Sequence, residues 1–314
     1  MLLVTGSSGF VGKALCDELA AQSYPLRRIV RKESDLLANH FSQLVRNLDG
    51  VVDWSEALVG VTHIVHLAAR VHHLEDTALD PVGEYRRVNV DGTLNLARQA
   101  IQAGVKRFVF VSSVKVNGES TKLNCPFTSN DLPAPEDSYG ISKYEAEQGL
   151  LQLAKQAEME IVIVRPPLVY GPGVKANFER MMRWVSKGLP LPFGAIVDNR
   201  RSFVALDNLV DLLIRCIEHP RAAGQIFMVS DDEDLSTKDL LLRLGRAMER
   251  PAYLVPVPLA ALQVLAKLVG QTASAGRLFG NLQVDIGTTK RLLDWRPKIG
   301  VDEAMRRVVM GRIL

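Results

Sequence analysis

The chain is poor in features that would place it outside the ordinary globular class. It has only three cysteines, Cys16, Cys125 and Cys216, with no CxxC or metal-type spacing. That pattern reads as reduced thiols of a cytoplasmic protein, not as a disulfide framework. It has little excess charge: 38 Lys and Arg stand against 35 Asp and Glu, a net of +3, and there is no long basic run. A nucleic-acid-binding surface is therefore not expected. It lacks any uninterrupted apolar run long enough to span a bilayer. The most apolar late stretch, Pro251 to Gly270, is broken by Pro256, Pro258, Gln263 and Lys267 and reads as a packed or surface-lying helix. Internal repeats and low-complexity segments are absent. No leader peptide is expected, because the residues after Met1 already read as a strand entering a glycine-rich turn.

What is present is 47% apolar and 23% charged over 314 residues, enough chain to bury one or two cores. Short apolar runs at 2–4, 26–30, 64–67, 108–111 and 161–164 read as strands buried on both faces of a parallel sheet. Between them, Phe10, Val11, Ala14, Leu15, Leu19 and Ala20 fall on one helical stripe, and Leu94, Ala97, Ala100 and Ile101 on another. Strand alternating with helix predicts a doubly wound α/β sheet. After Arg165 the rhythm changes. Arg165 to Gly173 (RPPLVYGPG) is expected to be loop, followed by a helix near 177–187, a strand near 226–229 and helices near 238–250 and 259–269. The expected layout is a dinucleotide-binding domain at 1–167, with a strand and helix near 200–218, and a smaller α/β substrate lobe built mainly from 168–199 and 219–314.

Gly6, Gly9 and Gly12 form a GxxGxxG turn between the first strand and helix. Glycines there allow a tight turn, let backbone N–H groups approach a pyrophosphate, and let the helix pack close to the strand. The second strand ends in Arg31 and Lys32, where an acid would bind the adenine ribose of NAD and a cation the 2′-phosphate of NADP. NADP(H) is the favoured reading, with NAD(H) left open because Glu33 or Asp35 could reach the ribose instead. The strand ending in Ser112-Ser113 places hydroxyls at a sheet's carboxyl edge, and Tyr139 and Lys143 lie one turn apart on a helix. A neighbouring ammonium favours tyrosinate, so the pair can act as an acid/base unit, with Ser113 holding the reacting oxygen. His72-His73 with Glu75 and Asp76 lacks ligand spacing, and no metal is expected.

TGSSGFVG at 5–12, His66 to Ala69, Asn89, Ser112-Ser113 and the Tyr139/Lys143 pair together resemble the extended short-chain dehydrogenase/reductases acting on nucleotide sugars. RPPLVYGPG, Arg201 to Val204 with Asp207-Asn208, and Trp295-Arg296-Pro297 extend the resemblance along the whole chain. The subgroup it most resembles comprises bacterial UDP-sugar 4-epimerases and 4-ketoreductases of surface polysaccharide synthesis. The resemblance implies a Rossmann-type fold with Ser113, Tyr139 and Lys143 as catalytic residues. It implies that Gly6, Ser8, Gly9, Phe10, Val11, Gly12, Arg31, Lys32, Leu48, Leu67, Ala68, Ala69, Asn89, Ser112, Tyr139, Lys143 and Pro166 bind the cofactor. Ser113, Val114, Tyr139, Asn177, Arg201 and Arg277 would bind a UDP-sugar. A lipid-linked sugar is an alternative substrate, and a homodimer through the helices bearing Leu94 to Ile101 and Tyr139 to Ala157 is implied.

Departures sharpen the expectation. Leu168 replaces an Asn that contacts the substrate diphosphate, Asn47 an acid near the adenine, and Arg31 the acid of NAD-binding members. Val114-Lys115 stands where 4,6-dehydratases carry Asp-Glu, which argues against dehydration. The expected activity is 4-ketoreduction with NADPH. The alternatives are a 4-epimerase with tightly held NAD and, more remotely, a non-catalytic NADP-binding redox sensor.

Overall fold

The computed structural model describes residues 1–31, 42–71, 80–268, 276 and 278–311. Lys32, Glu33, Asp35, the segment from His72 to Asp76, and Arg277 lie outside them. Seven strands form one parallel sheet: β1 (Leu2–Thr5), β2 (Leu26–Val30), β3 (Ser42–Val45), β4 (His63–His66), β5 (Arg107–Val111), β6 (Glu160–Arg165) and the strand Ile226–Met228, in the spatial order β3-β2-β1-β4-β5-β6-(226–228). The order reverses between β1 and β4, and a cleft opens there beyond the strand carboxyl ends, as the fold requires.

Helices cover both faces. α1 (Phe10–Ala21) packs on the side that buries Leu2, Val4, Leu26 and Val65. The opposite face buries Leu3, Ile29, Ile64, Phe108 and Phe110 beneath α2 (Ser55–Leu58), α4 (Thr93–Gln102) and α5 (Ser138–Ala154). Ahead of α4, the short helix α3 (Pro81–Tyr85) runs into a π-helical stretch, Arg86–Gly92, where a single long α-helix is expected from residue 88. α5 stops at Ala154, one turn short of the predicted end at Ala157.

The stretch 165–173 is not all loop. Leu168–Tyr170 forms β7, which pairs in parallel with β8 (Phe203–Ala205), since three β-prone residues between prolines and glycine still find a partner strand. The expected helix near 177–187 is α6 (Ala176–Ser186), and α7 (Leu206–Glu218) lies over the main sheet beside α1. The strand expected at 226–229 is β9 (Ile226–Met228), and it completes the main sheet against β6 rather than standing with the second half of the chain. α8 (Thr237–Ala247), α9 (Leu259–Leu268), α10 (Gly287–Leu293) and α11 (Val301–Met310) follow. A separate cluster of Tyr170, Phe178, Leu191, Phe193, Leu241, Leu244 and Met305 forms a second core. Among the described residues, no helix is long and apolar enough to cross a membrane.

One buried ion pair links the sheet to α5. Arg165, at the end of β6, donates bidentately to Glu147, and its third nitrogen donates to Asn117 Oδ1 at 3.0 Å. Both charged side chains are almost wholly buried, at 2% and 0% exposure. Removing one partner would strand the other charge in the core, at a cost of about 3–5 kcal/mol. Glu147→Ala is therefore expected to lower unfolding free energy in urea by about that amount, whereas Glu147→Gln, which keeps acceptor oxygen, should lose less. Equal, small losses in both would show that the pair is not structural.

Candidate active site

The cleft starts at the glycine turn. α1 begins at Phe10 with Gly9 as its N-cap and no side chain capping it, so the first N–H groups are left for a ligand. Gly6 has φ +66°, a left-handed conformation that suits glycine. A Cβ on Gly12 would stand 2.1 Å from the Gly6 carbonyl oxygen, so only glycine lets the helix sit this close to the turn. The resulting cleft holds about 840 Å³. Gly6, Ser8, Gly9, Phe10, Val11 and Gly12 line it where β1 ends, with Leu67, Ala68 and Ala69 beside them after β4; Arg31 and Leu48 follow β2 and β3, and Ser112, Ser113, Tyr139, Lys143 and Pro166 lie on the β5–β6 side.

Among the described residues, the buried Ser112 Oγ, Trp54 Nε1 and Arg28 Nε have no hydrogen-bond partner. Ser112 and Trp54 line opposite ends of the cleft. Arg28 lies behind the glycine turn, 2% exposed, with Nη2 donating to the Ser7 carbonyl at 3.2 Å. A buried guanidinium bonded only to neutral groups is costly unless an anion comes near it. A dinucleotide, with polar heads at both ends and a diphosphate between them, fits these groups and the glycine cradle.

At the far end, Asp137 caps α5 by accepting from Gly140 N at 2.7 Å, which fixes the first turn, with Tyr139 on it and Lys143 on the next. β5 stops at Val111, two residues before Ser113, which caps the short turn Val114–Val116, its Oγ accepting from Lys115 N at 3.2 Å. Lys143 Nζ donates to the Val111 carbonyl at 2.8 Å and sits 4.4 Å above the centre of the Phe110 ring. Burial nevertheless brings its pKa down to about 7. Burial, and then the charge of Asp137, push the Tyr139 phenol above its usual range. On the other face of Phe110 lies His66, ring centres 5.9 Å apart, bonded through Nδ1 to Thr5 Oγ1 (2.7 Å) and through Nε2 to Thr93 Oγ1 (2.9 Å). Burial and the Lys143 charge lower His66 to about 3, so this imidazole stays neutral.

Some expected residues stand elsewhere. Asn89 does not line the cleft: it is buried in the π-helical stretch, accepting from Arg70 N and donating to Arg70 O and Ser142 Oγ. Its amide is spent clamping the strand-end loop to α5, so it holds the cofactor wall in place. Val114 is buried behind the wall and its N–H donates to the Pro166 carbonyl at 3.0 Å. Arg201 lies in the second half of the chain, Nη1 donating to the Gly280 carbonyl at 3.3 Å. Asn177 falls in the first turn of α6, but its side chain is outside the described ones. Among the described residues, no three His, Cys, Asp or Glu side chains converge as a metal site would need. Lys115 pairs with Glu119 and Asp137, so the position after Ser113 offers no free carboxylate. Arg28, Trp54, Phe110 and Glu147 leave no mark as site residues in the sequence, because each is buried and only tertiary packing brings it near the cleft.

Residues 2–230 match the NAD dependent epimerase/dehydratase family, and the chain belongs to that family. It is 47% identical to the UDP-glucose 4-epimerase of Vibrio cholerae, covering 99% of this chain and 94% of the relative. It is 28% identical to the N-acetyl-alpha-D-glucosaminyl-diphospho-ditrans,octacis-undecaprenol 4-epimerase of Escherichia coli O157:H7, over 86% of this chain and 81% of that one. In fold it superposes on UDP-glucuronic acid 4-epimerase from Bacillus cereus in complex with NAD, with a TM-score of 0.78 at 21% identity, covering 99% and 96% of the two chains.

The depressed Lys143 pKa has a stability consequence in cofactor-free protein. Between about 7 and 10.5 the unfolded chain binds a proton at this lysine that the folded chain does not, so stability from this group rises with pH across that window. Lys143→Met should flatten the slope of unfolding free energy against pH there, relative to wild type, when both are measured by urea titration. Parallel slopes would mean the buried amine titrates normally.

Proposed function

We propose that the protein is a UDP-sugar 4-epimerase that keeps its NAD through the catalytic cycle. The observation that carries this reading is the near full-length 47% identity to the Vibrio cholerae enzyme, laid over an intact Ser113/Tyr139/Lys143 constellation. The 4-ketoreductase reading rests on Arg31 and Lys32 selecting NADPH. Arg31 is exposed at the mouth of the cleft, where a guanidinium stacks on an adenine ring as readily as it grips a phosphate. The cation alone therefore does not require NADP. A non-catalytic redox sensor would not need the tyrosine and lysine held in the cleft as they are.

In this reading, residues 1–167 with α7 and β9 hold the dinucleotide, and 168–199 with the rest of 219–314 hold the sugar nucleotide. Asn177, Arg201 and Arg277 would take its nucleotide and diphosphate. Tyr139 removes the C4 hydroxyl proton as the carbonyl forms, and returns it when the alcohol is remade on the opposite face. Ser113 Oγ holds the same oxygen against the phenol. When bound, an oxidised nicotinamide supplies the hydride acceptor for C4 and the extra positive charge this buried phenol needs. Lys143 adds its own charge from below, steadied by the Phe110 face. A cytoplasmic homodimer packed through α4 and α5 completes the reading. UDP is the proposed carrier, with a polyprenyl diphosphate, as in the name of the Escherichia coli relative, the competing one.

Two experiments test it. Denaturing the purified protein and quantifying the nicotinamide released should give near-stoichiometric NAD; an empty site that prefers NADPH over NADH would return the assignment to a ketoreductase. Tyr139→Phe should slow interconversion of UDP-glucose and UDP-galactose by about 10²–10⁴-fold while retaining NAD, the range for loss of a general acid–base. Turnover near wild type in that variant would remove Tyr139 from the mechanism.

A further inference from the structure

α9 has its apolar stripe on the wrong side. Ala261, Val264, Leu265 and Leu268 stand at i, i+3, i+4 and i+7, the spacing of a face that normally turns to the core. Here that face is turned to solvent. Val264, Leu265 and Leu268 are 58%, 56% and 79% exposed, while Leu262, on a different side of the helix, is 6% exposed and anchors α9 to the second core. The strap leading into the helix continues the patch with exposed Tyr253, Val255 and Leu259. Leu189, 52% exposed, lies on the adjoining segment, where Leu191 bridges Leu254. Such a contiguous patch marks an interaction surface.

Its charge says what kind. From Pro251 to Val284 the chain carries no aspartate or glutamate, Glu249 being the last acid before the patch. The exposed cations beside it are Lys187, Arg250 and Lys267; Arg250 Nη1 donates to the Ser186 carbonyl, which brings it alongside Lys187. A two-fold contact between copies through this face would set these cations against one another, and only Glu249, which precedes Arg250, is an acid adjacent to any of them in the sequence. An apolar face rimmed by lysine and arginine instead matches a negatively charged lipid surface, where the side chains enter the acyl boundary and the cations meet headgroups.

We propose that the 251–268 segment docks the protein reversibly on an anionic bilayer, with the second core resting on the membrane and the dinucleotide cleft left outside it. This does not rest on the epimerase reading. The test is flotation of full-length protein with vesicles of phosphatidylglycerol and phosphatidylcholine, and of phosphatidylcholine alone, for wild type and the double variant Leu265→Glu/Leu268→Glu. Both sites are exposed, so the variant should melt as wild type does by circular dichroism. Wild type should float with the anionic vesicles, lose binding in high salt, and bind neutral vesicles weakly; the variant should partition on the order of 100-fold less, from two lost apolar contacts and two added repulsive charges. Absence of wild-type binding to anionic vesicles, or equal binding by the variant, would overturn the proposal. So would a wild-type oligomer that the variant splits in light scattering, since a second copy would then cover the face.

Discussion

Three separate pieces of chain bring Ser113, Tyr139 and Lys143 to one cleft, and the Arg165–Glu147–Asn117 cluster ties all three. Asn117 belongs to the short run that begins at Ser113, Glu147 sits one turn beyond Lys143 on α5, and Arg165 ends the neighbouring strand. A buried ion pair contributes little net stability over an apolar substitute, but its geometry is unforgiving. That is a useful property for the proposed reaction, in which Ser113 and Tyr139 would approach one substrate oxygen within hydrogen-bonding reach. The negative charge of Glu147 also opposes the loss of proton from Lys143 that burial promotes.

The cleft is prepared for a ligand by leaving cations imperfectly answered. Lys143 at one end has a carbonyl and a ring face, and Arg28 behind the glycine turn has a carbonyl. Neither hydrogen-bonds a carboxylate among the described residues, although Glu147 reaches Lys143 through space. A neutral His66 stacks on Phe110 inside the core, bonded to a threonine on each side. The cleft thus suits a negatively charged ligand, while burial keeps the Tyr139 phenol protonated.

The glycine turn, the five main strands and the Tyr139/Lys143 pair were legible because each leaves a local mark: glycine spacing, a short apolar run, or a one-turn interval. β3 and β7 were not, since their partners come from distant sequence and their own runs are short and mixed. The π-helical stretch was read as plain helix because its apolar stripe is preserved while its ladder is not. Asn89 was assigned to the cofactor from motif position alone; its actual partners, the Arg70 backbone and Ser142, are set by tertiary packing that no spacing reveals. The ketoreductase expectation rests on two strand-end cations, Arg31 and Lys32, of which Lys32 lies outside the described residues.

The place of β9 has a consequence for how the chain is made. During synthesis the first six strands of the sheet have all left the ribosome once residue 165 has, yet β6 waits for residues 226–228 before its outer edge is paired. Meanwhile β7, α6, β8 and α7 must emerge, and α7 must settle over the sheet beside α1. An apolar parallel edge is thus open while the residues between 165 and 226 emerge, a condition under which nascent α/β proteins pair with the wrong strand. The strand that seals the sheet comes from the second half of the chain, whose other elements are divided between this sheet's own core, as α7, Leu282 and Trp295 are, and the second core.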